Sequence, residues 1–366
     1  MASKRYAASN HAPVDGMEVI SDDKYRGSIV ADGNILFKGF SDSIEYTDET
    51  FPSDIDISSY RVFECLEGTL IRVFNRNDKW YTATSRRLDA FVSKWASPKT
   101  TFGQSFVAEL RKLVEPNESD DKKFLSEFYD TYLIKGPLYT FLLLPSFEER
   151  IVCECKQQKV VYLCKEDPVS HLVDFDDDIS INGVPFPKRK EIQGLKCAAD
   201  VRDYVFDHTD YRTSQGVILF KQSETGDVSS IKVLSKEYAD RYKIRGNTSS
   251  LKFRYLHLRK SPDELDLFFE VYPHMRHTAE EIEENIYKVC LRLHELYMKI
   301  HIENDSSVKC SKEEQSALQI IHNQYKHTRQ RTTSSRINDI LTAGNPIRLN
   351  KLLRESNMNY QARHYD

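Results

Sequence analysis

A cysteine, an acid and a glycine lie close together in a β-rich part of the chain, at Cys65, Glu67 and Gly68. After an apolar run and a polar turn, a second β-rich run returns to the basic pair Arg86-Arg87, which predicts a β-hairpin. A thiolate is a strong nucleophile, and a nearby arginine would lower the pKa of the Cys65 thiol. Nucleophilic catalysis is therefore one interpretation, and a small buried strand residue is the other and the one we favour.

The composition is that of a soluble globular protein. The chain has 366 residues, of which 40% are apolar and 30% charged, and its net charge is −4. This length can bury a large core and suggests two domains, and the charge does not favour general polyanion binding. No apolar run approaches the roughly 20 residues that span a bilayer. The first residues lack the apolar core of a signal peptide, and we expect no membrane partner.

Seven cysteines are scattered along the chain. An odd number in strand-like and helical stretches is typical of reduced thiols in a cytosol-like compartment. Cys153, Cys155 and Cys164 lie in an alternating strand pattern, and the spacing C-x-C is poor for zinc. We therefore predict a cytoplasmic protein without a metal centre.

Three parts are predicted along the chain. Residues 1–24 are polar and expected to be flexible, residues 25–260 alternate strands with packing helices, and residues 261–366 are helical. A turn at Asp32-Gly33 predicts a hairpin near the start of the middle part. The pattern around residues 149–166 predicts two further strands.

The remaining segments are assigned from turn and capping chemistry. The acidic run from Asp174 to Asp178 is expected to be a solvated loop. Thr278-x-x-Glu281 and Ser311-x-x-Glu314 each predict a capped helix, and residues 349–356 predict a last turn or two. The fold class is therefore α+β, with mixed and antiparallel sheets, packing helices and a C-terminal helical bundle.

The order of these motifs resembles the RNA ligases of the phage tRNA-repair type, in the covalent nucleotidyltransferase superfamily. Those ligases carry Lys-x-Asp-Gly-Ser-Leu, a hairpin and Ser-Lys-Gly, where this chain has Glu67-Gly68-Thr69-Leu70 and Ser85-Arg86. Cys65 stands where the ligases have the lysine that accepts the nucleotide. The sequence also resembles ligase-like proteins of large nucleocytoplasmic DNA viruses, so the host cytoplasm or a virion is an expected location.

Other ligase positions are matched only in outline. An Arg-Gly strand and a segment beginning with lysine precede the motif here as in the ligases, and two ligase carboxylates and a second lysine are exchanged for other residues. Arg26 belongs to the Arg-Gly strand, and Lys38 begins the lysine-led segment. Leu142 and Gln215 stand in place of the two glutamates. Lys232 matches the first lysine, and Leu234 stands in place of the second, with Lys236 close by.

The resemblance implies a chemistry that this chain supplies only in part. Covalent nucleotidyl transfer requires a lysine amine as nucleophile, with carboxylates for Mg²⁺ and the ribose and cations for the phosphates. Glu67, Gly68, Arg86 and Lys232 are retained, whereas a neutral Gln215 offers oxygen without charge. ATP and Mg²⁺ are the cofactors that an active enzyme of this kind would need.

Three hypotheses remain at this point. The first is a degenerate ligase-like protein that binds nucleic acid or a protein partner and performs no covalent nucleotidyl transfer. The second is an active RNA ligase or nucleotidyltransferase that uses Lys38, Lys79 or Cys65 as the nucleophile. The third is a structural component of a virion or complex, in which side chains fill the nucleotide cleft and the helical domain docks a partner.

Candidate binding residues follow from the first hypothesis. The nucleotide candidates are Glu67, Gly68, Arg86, Gln215, Lys232 and Lys236, with no catalytic residue assigned. The nucleic-acid candidates are Arg26, Lys38, Lys326, Arg329 and Arg331. RNA is the expected nucleic acid, and binding through such cations weakens with salt.

Overall fold

Two compact units divide the chain, residues 1–242 and residues 243–366. The structure is a computed structural model that describes residues 13–21, 25–95, 99–115, 118–147, 149–155, 159–246 and 248–363, with side chains as far as residue 356. The first unit mixes sheets and helices and the second is helical, which confirms the predicted α+β class.

The strands of the first unit have these bounds: β1 (Met17–Ser21), β2 (Arg26–Ala31), β3 (Asn34–Phe37), β4 (Ile44–Thr47), β5 (Arg61–Cys65), β6 (Thr69–Arg76), β7 (Lys79–Thr84), β8 (Leu138–Leu143), β9 (Val160–Glu166), β10 (Val173–Asp174), β11 (Ser180–Ile181), β12 (Val184–Pro185), β13 (Gly216–Gln222) and β14 (Val228–Leu234). The helices of the first unit are α1 (Phe102–Leu110), α2 (Asp121–Tyr132) and α3 (Ala198–His208), and α4 (Lys236–Arg245) runs across the boundary.

These strands form a sheet of order β10-β9-β8-β6-β7, a sheet of order β4-β14-β13-β5, and smaller sheets of β1-β2-β3 and β11-β12. β4 pairs parallel to β14, and the other paired strands of the described residues are antiparallel. The predicted hairpin is formed by β6 and β7, and its turn residues Asn77 and Asp78 both have positive φ. The turn at Asp32-Gly33 joins β2 to β3, as predicted.

Side chains alternate between two apolar layers along the central strands, as the two-residue period of a strand requires. Phe141 and Leu143 of β8 pack with the cluster that holds α1 and α2. Leu142 between them joins a second cluster with Phe63 and Cys65 of β5. This second cluster draws its residues from both large sheets, and we call it the inter-sheet layer. Cys65 therefore belongs to the core of the molecule.

The second unit contains α5 (Leu251–Leu258), α6 (Pro262–Val271), α7 (Met275–Tyr297), a π-helical turn at Met298–Ile302, α8 (Lys312–Thr328), α9 (Ser334–Ala343) and α10 (Pro346–Arg363). Ser311 and Glu314 form the predicted capping box of α8. The box predicted at Thr278 is wrong, because α7 already begins at Met275 and Thr278 lies inside it. Residues 349–356 belong to the long α10, because Leu349, Leu352 and Leu353 are buried in the helical core.

Several segment boundaries differ from the sequence expectations. β1 lies inside the segment expected to be flexible, because Met17 and Val19 are buried against β2 and its neighbours; residues 1–12 and 22–24 lie outside the described residues. The second unit begins before the expected residue 261, because Tyr255, Leu256 and Leu258 of α5 pack into its core. The connection before β5 contains the short strand β4, which the sequence did not indicate.

The acidic run is largely exposed, as expected for a solvated loop, and its carboxylates also pair with cations of the same unit. Asp176 accepts two hydrogen bonds from Arg61, one of 2.7 Å and one of 3.0 Å. Asp177 accepts from Lys165, and Asp178 lies 2.9 Å from the ammonium of Lys188. These ion pairs hold the loop that follows β10 against strands β5 and β9.

Candidate functional site

Cys65 ends strand β5 and is 4% exposed. Its side chain lies in the inter-sheet layer with Leu142, Ile218 and Phe220. The position that a ligase would use for its nucleophile is therefore occupied here by a thiol among aliphatic and aromatic side chains.

The thiol of Cys65 donates a weak hydrogen bond to Oε1 of Gln215, at 3.4 Å. Burial raises the pKa of Cys65, although the cations of Lys232 and Arg189 act in the opposite direction. Nucleophilic attack requires the thiolate. A buried thiol with a raised pKa that already donates to an amide is poorly prepared for such a role.

Gln215 and Lys232 come to the same face of the sheet as Cys65, as the motif order predicts. Gly216 pairs with Cys65 in the sheet, and Ile218 pairs with Lys232 on the next strand. The ammonium of Lys232 lies 3.0 Å from Oε1 of Glu45 on β4. Burial alone would lower the pKa of Lys232, but neighbouring negative groups, Glu45 among them, raise it above its usual value. Lys232 is thus a cation with a carboxylate partner.

Glu67 has a structural environment that the sequence did not predict. Its carboxylate accepts hydrogen bonds from the backbone N–H groups of Ile151, Val152 and Cys153, the last two at 2.9 Å and 3.2 Å. The Tyr238 hydroxyl donates a fourth, at 3.2 Å. We call this arrangement the Glu67 clamp.

The clamp also corrects a prediction. The segment before residue 156 was expected to be a strand, but it forms bends instead, because its amides point to the Glu67 carboxylate and pair with no neighbouring strand. Burial raises the pKa of Glu67, while the four donors act against this shift and favour the ionised form. Residues 156–158, the expected turn, lie outside the described residues.

Gly68 is needed for close packing. A Cβ atom at this position would lie 2.7 Å from the carbonyl oxygen of Leu143 and 2.9 Å from Cγ of Leu142. Both residues of the retained Glu67-Gly68 pair therefore contribute to the packing of the first unit, because they contact neighbouring backbone or side chains of the core.

The residues of the inter-sheet layer do not fit a nucleotide with Mg²⁺. A metal ion of this kind prefers carboxylate oxygens, whereas Leu142 has none and Gln215 has only an amide. Among the described residues, no group of three His, Cys, Asp or Glu side chains could hold a metal ion. The geometry therefore gives no step through ATP or Mg²⁺.

Arg189 is a buried cation of this site that sequence reasoning missed. Its guanidinium carbon lies 4.3 Å from the ring centroid of Phe63 and 4.9 Å from that of Phe220. Nε and Nη2 have no hydrogen-bond partner, and burial lowers the pKa of Arg189 to about 10. The basic run Lys188-Arg189-Lys190 was the available signal, but it lies in a stretch that reads as a loop.

Arg26 and Lys38 line a small cavity of about 20 Å³, together with the buried Arg72, Glu166 and other residues. The Lys38 ammonium lies 2.8 Å from Oδ1 of Asp227. Arg26 lies 3.6 Å from a carboxylate oxygen of Asp42. The structure therefore brings these two candidates together, but each has an acidic partner.

Arg86 and Lys236 lie apart from the inter-sheet layer. Arg86 is exposed after β7, and its backbone N–H donates to the Thr84 hydroxyl. Lys236 begins α4 and pairs with Glu49 at 3.2 Å. Neither side chain has a described contact with Cys65 or Gln215.

An open cleft of about 500 Å³ lies beside the Glu67 clamp. Leu144, Glu154, Lys159 and Thr213 contribute to its walls.

The three C-terminal candidates, Lys326, Arg329 and Arg331, are exposed in the second unit. They have no carboxylate partner among the described residues, in contrast to Lys38, Lys232 and Lys236. No helix of the described residues is long and apolar enough to cross a bilayer.

Comparison with known proteins finds both resemblances that the motifs suggested. No model of a protein family matches the chain. A protein of Invertebrate iridescent virus 6, named Immediate-early protein ICP-46 homolog, is 28% identical over 354 residues, which cover 90% of this chain and 76% of that protein.

Solved ligases are similar to the chain at low sequence identity. An archaeal ATP-dependent RNA ligase matches 76% of this chain and 76% of its own, with 12% identity and a TM-score of 0.40. An RNA ligase of Naegleria gruberi, solved with PPi, matches 50% of this chain and 51% of its own, with 13% identity and a TM-score of 0.32.

Proposed function

We propose that this chain is a ligase-like protein that binds nucleic acid and does not accept a nucleotide covalently. The single observation that carries the proposal is the environment of Cys65. At the nucleophile position of the motif there is a buried thiol in an apolar layer, with Leu142 in the same layer. An amine, a carboxylate and a polar cleft are the features that the chemistry would need there.

Lys38 and Lys79, the alternative lysine nucleophiles, are not suited to that role either. Lys38 pairs with Asp227 and also donates to the carbonyl oxygen of Thr225. Lys79 pairs with Asp15 at 2.6 Å. Either amine would have to leave its carboxylate partner before it could attack a phosphate.

The basic residues of the first unit are compatible with nucleic-acid binding without catalysis. Arg86 is exposed, and Arg26, Lys38, Lys232 and Lys236 would have to exchange their carboxylate partners for phosphates. A protein partner is the alternative ligand. The iridovirus relative is named an immediate-early protein, and by analogy this chain would be made early in infection.

Labelled-nucleotide transfer tests the proposal. The protein is incubated with ATP or GTP labelled at the α-phosphate, with Mg²⁺ or Mn²⁺, and then separated under denaturing conditions beside an active RNA ligase. We expect no label on the wild-type chain. The Lys38→Ala, Lys79→Ala and Cys65→Ser variants identify the acceptor if label is found.

Label that survives denaturation and is lost in one of these variants would show an enzyme with an unconventional nucleophile. That result would refute the proposal. Label that is retained in all three variants would equally refute it and would place the acceptor elsewhere in the chain.

A further inference from the structure

Four ring side chains form a continuous stack across two helices of the second unit. Tyr297 ends α7, and His301 follows it in the π-helical turn. His322 and Tyr325 lie on α8. The imidazole rings of His301 and His322 are nearly parallel, with an interplanar angle of 5° and centroids 4.1 Å apart. We call these four side chains the ring stack.

The ring stack is anchored at one end and accessible at the other. Tyr297 is 3% exposed, and its hydroxyl lies 3.3 Å from Nδ1 of His322, within hydrogen-bonding distance. His301, His322 and Tyr325 are each only partly buried. A π-helical turn is rare and often marks a functional site, and here it places His301 against the ring on α8.

Three cations follow the ring stack along the chain. Lys326 is the residue after Tyr325, and Arg329 and Arg331 come after it in sequence. All three are exposed, and none has a carboxylate partner among the described residues. We call them the basic segment. These charges are therefore available to an external anion.

Two cations of α7 and the π-helical turn are paired with carboxylates, in contrast to the basic segment. Lys299 lies 2.8 Å from Glu295, and Arg292 lies 3.4 Å from Glu314. Lys326 is close enough to His301 to contribute to the lowered pKa of that imidazole, after burial and the charge of His322. Lys326 therefore lies close to the ring stack, and Arg329 and Arg331 follow it in sequence.

The basic segment spans the end of α8 and the non-helical chain that follows it. Arg329 has a φ of 55° and ends α8 in the left-handed region. The chain then runs without helix until α9 begins at Ser334. Arg331 therefore lies in the non-helical connection between α8 and α9, two residues after Arg329.

We infer that the ring stack and the basic segment bind single-stranded nucleic acid, with an unpaired base against the rings and successive phosphates on the cations. Aromatic faces beside a path of cations are the usual means of binding single strands, because every base has a face that can stack. A duplex hides these faces. The inference deepens the proposed nucleic-acid binding and depends on it, but it does not depend on the absence of a covalent nucleotide.

Fluorescence anisotropy on the full chain tests this inference, with labelled oligouridylate and oligothymidylate as single-stranded probes and a labelled duplex of the same length. Binding is titrated over a range of salt concentrations. The charge variant is Arg329→Gln with Arg331→Gln, and the ring variants are His322→Ala and His322→Phe. The matched control is Lys312→Gln, because Lys312 is exposed at the opposite end of α8.

For single strands, each phosphate contact contributes a slope of about −0.7 to the dependence of log affinity on log salt. We expect a slope of about −2 for three contacts, reduced in magnitude by about 1.4 in the double charge variant. His322→Ala should weaken binding roughly tenfold, and His322→Phe should restore most of it because the ring face returns. Lys312→Gln should change neither quantity. A circular dichroism melt checks that each variant is folded.

Four results would overturn the inference. These are equal affinity for the duplex, an effect of Lys312→Gln as large as that of the arginines, no recovery with a folded His322→Phe, or competition by polyglutamate as strong as by oligouridylate. The last result would indicate an acidic peptide as the partner. If variants of Arg86 and Lys236 abolish binding while the C-terminal variants do not, the proposed nucleic-acid binding survives and this site is wrong.

Discussion

The two units treat their basic residues differently. In the first unit, Lys38, Lys232 and Lys236 each lie within 3.2 Å of a carboxylate oxygen. In the second, Lys326, Arg329 and Arg331 have no such partner among the described residues. Both sets looked alike in the sequence. Among these six candidates, the three lysines of the first unit are held by carboxylates of their own unit, whereas the three cations of the second unit are available for a ligand.

The same contrast applies to the retained motif residues. Glu67 and Gly68 keep the ligase pattern, but the carboxylate of Glu67 holds backbone amides and Gly68 allows close packing on Leu142. A motif residue can thus persist because the fold needs it. The following predictions test this division, beginning with the largest expected effect.

Removing the carboxylate of the Glu67 clamp should destabilise the first unit strongly. Glu67→Ala leaves three backbone N–H groups and the Tyr238 hydroxyl without their acceptor, and we expect a loss of about 3 kcal/mol in the free energy of unfolding. Urea unfolding followed by tryptophan fluorescence measures it, because Trp80 and Trp95, the two tryptophans of the chain, both lie in this unit.

The control for this variant is Glu154→Ala. Glu154 lines the neighbouring cleft, but its side chain does not accept the hydrogen bonds of the clamp. We expect a change within about 0.5 kcal/mol, as for most surface substitutions. Equal effects of the two substitutions would mean that the clamp contributes little, and that Glu67 is free for a ligand.

The sequence was sufficient for elements that local chemistry determines. Asp32-Gly33 and Asn77-Asp78 produce the two turns with positive φ, and the box at Ser311 starts α8. The Glu67 clamp could not be predicted, because three of its donors are backbone N–H groups about 85 positions away, which carry no residue-specific signal, and the fourth, the Tyr238 hydroxyl, lies 171 positions away. The pairing of Lys232 with Glu45 was hidden for the same reason, since no sequence pattern indicated β4.

Neutralising Glu45 should remove the carboxylate partner of Lys232 and so reduce the difference between the paired cations of the first unit and the unpaired cations of the second. With Glu45→Gln, we expect affinity for oligouridylate to rise about threefold, in line with the modest strength of an exposed ion pair. Anisotropy at low salt measures it, with Glu224→Gln as a control for the loss of one negative charge. An equal rise in both variants would show that only net charge matters and that Lys232 does not contact phosphate.

The ring stack should make the second unit sensitive to mild acid. Burial, then His322 and Lys326, lower the pKa of His301 below its usual value. As the pH falls, the His301 imidazole is therefore protonated in the unfolded chain before it is protonated in the folded chain. The free energy of unfolding has its full value above about pH 6.5 and decreases as the pH falls below it.

The effect of this one histidine should be small. Urea unfolding followed by the helical circular dichroism signal at several pH values measures it, and His301→Phe should remove part of the acid sensitivity. His277→Phe, at an exposed position on α7, is the control. A wild-type unfolding free energy that stays constant between pH 7 and pH 5 would contradict this prediction.

The central sheet of the first unit also has a consequence for the order of folding. β5 pairs with β13, and Lys232 contacts a residue 187 positions earlier in the chain. Contacts of such sequence separation form slowly, because a long loop must close before they stabilise anything. During synthesis, β5 would leave the ribosome well before its partner exists, and its apolar residues would remain uncovered in that interval. Contacts within the second unit span shorter separations, such as the 83 positions between Arg259 and Thr342, so this unit should fold faster than the first once both have been made.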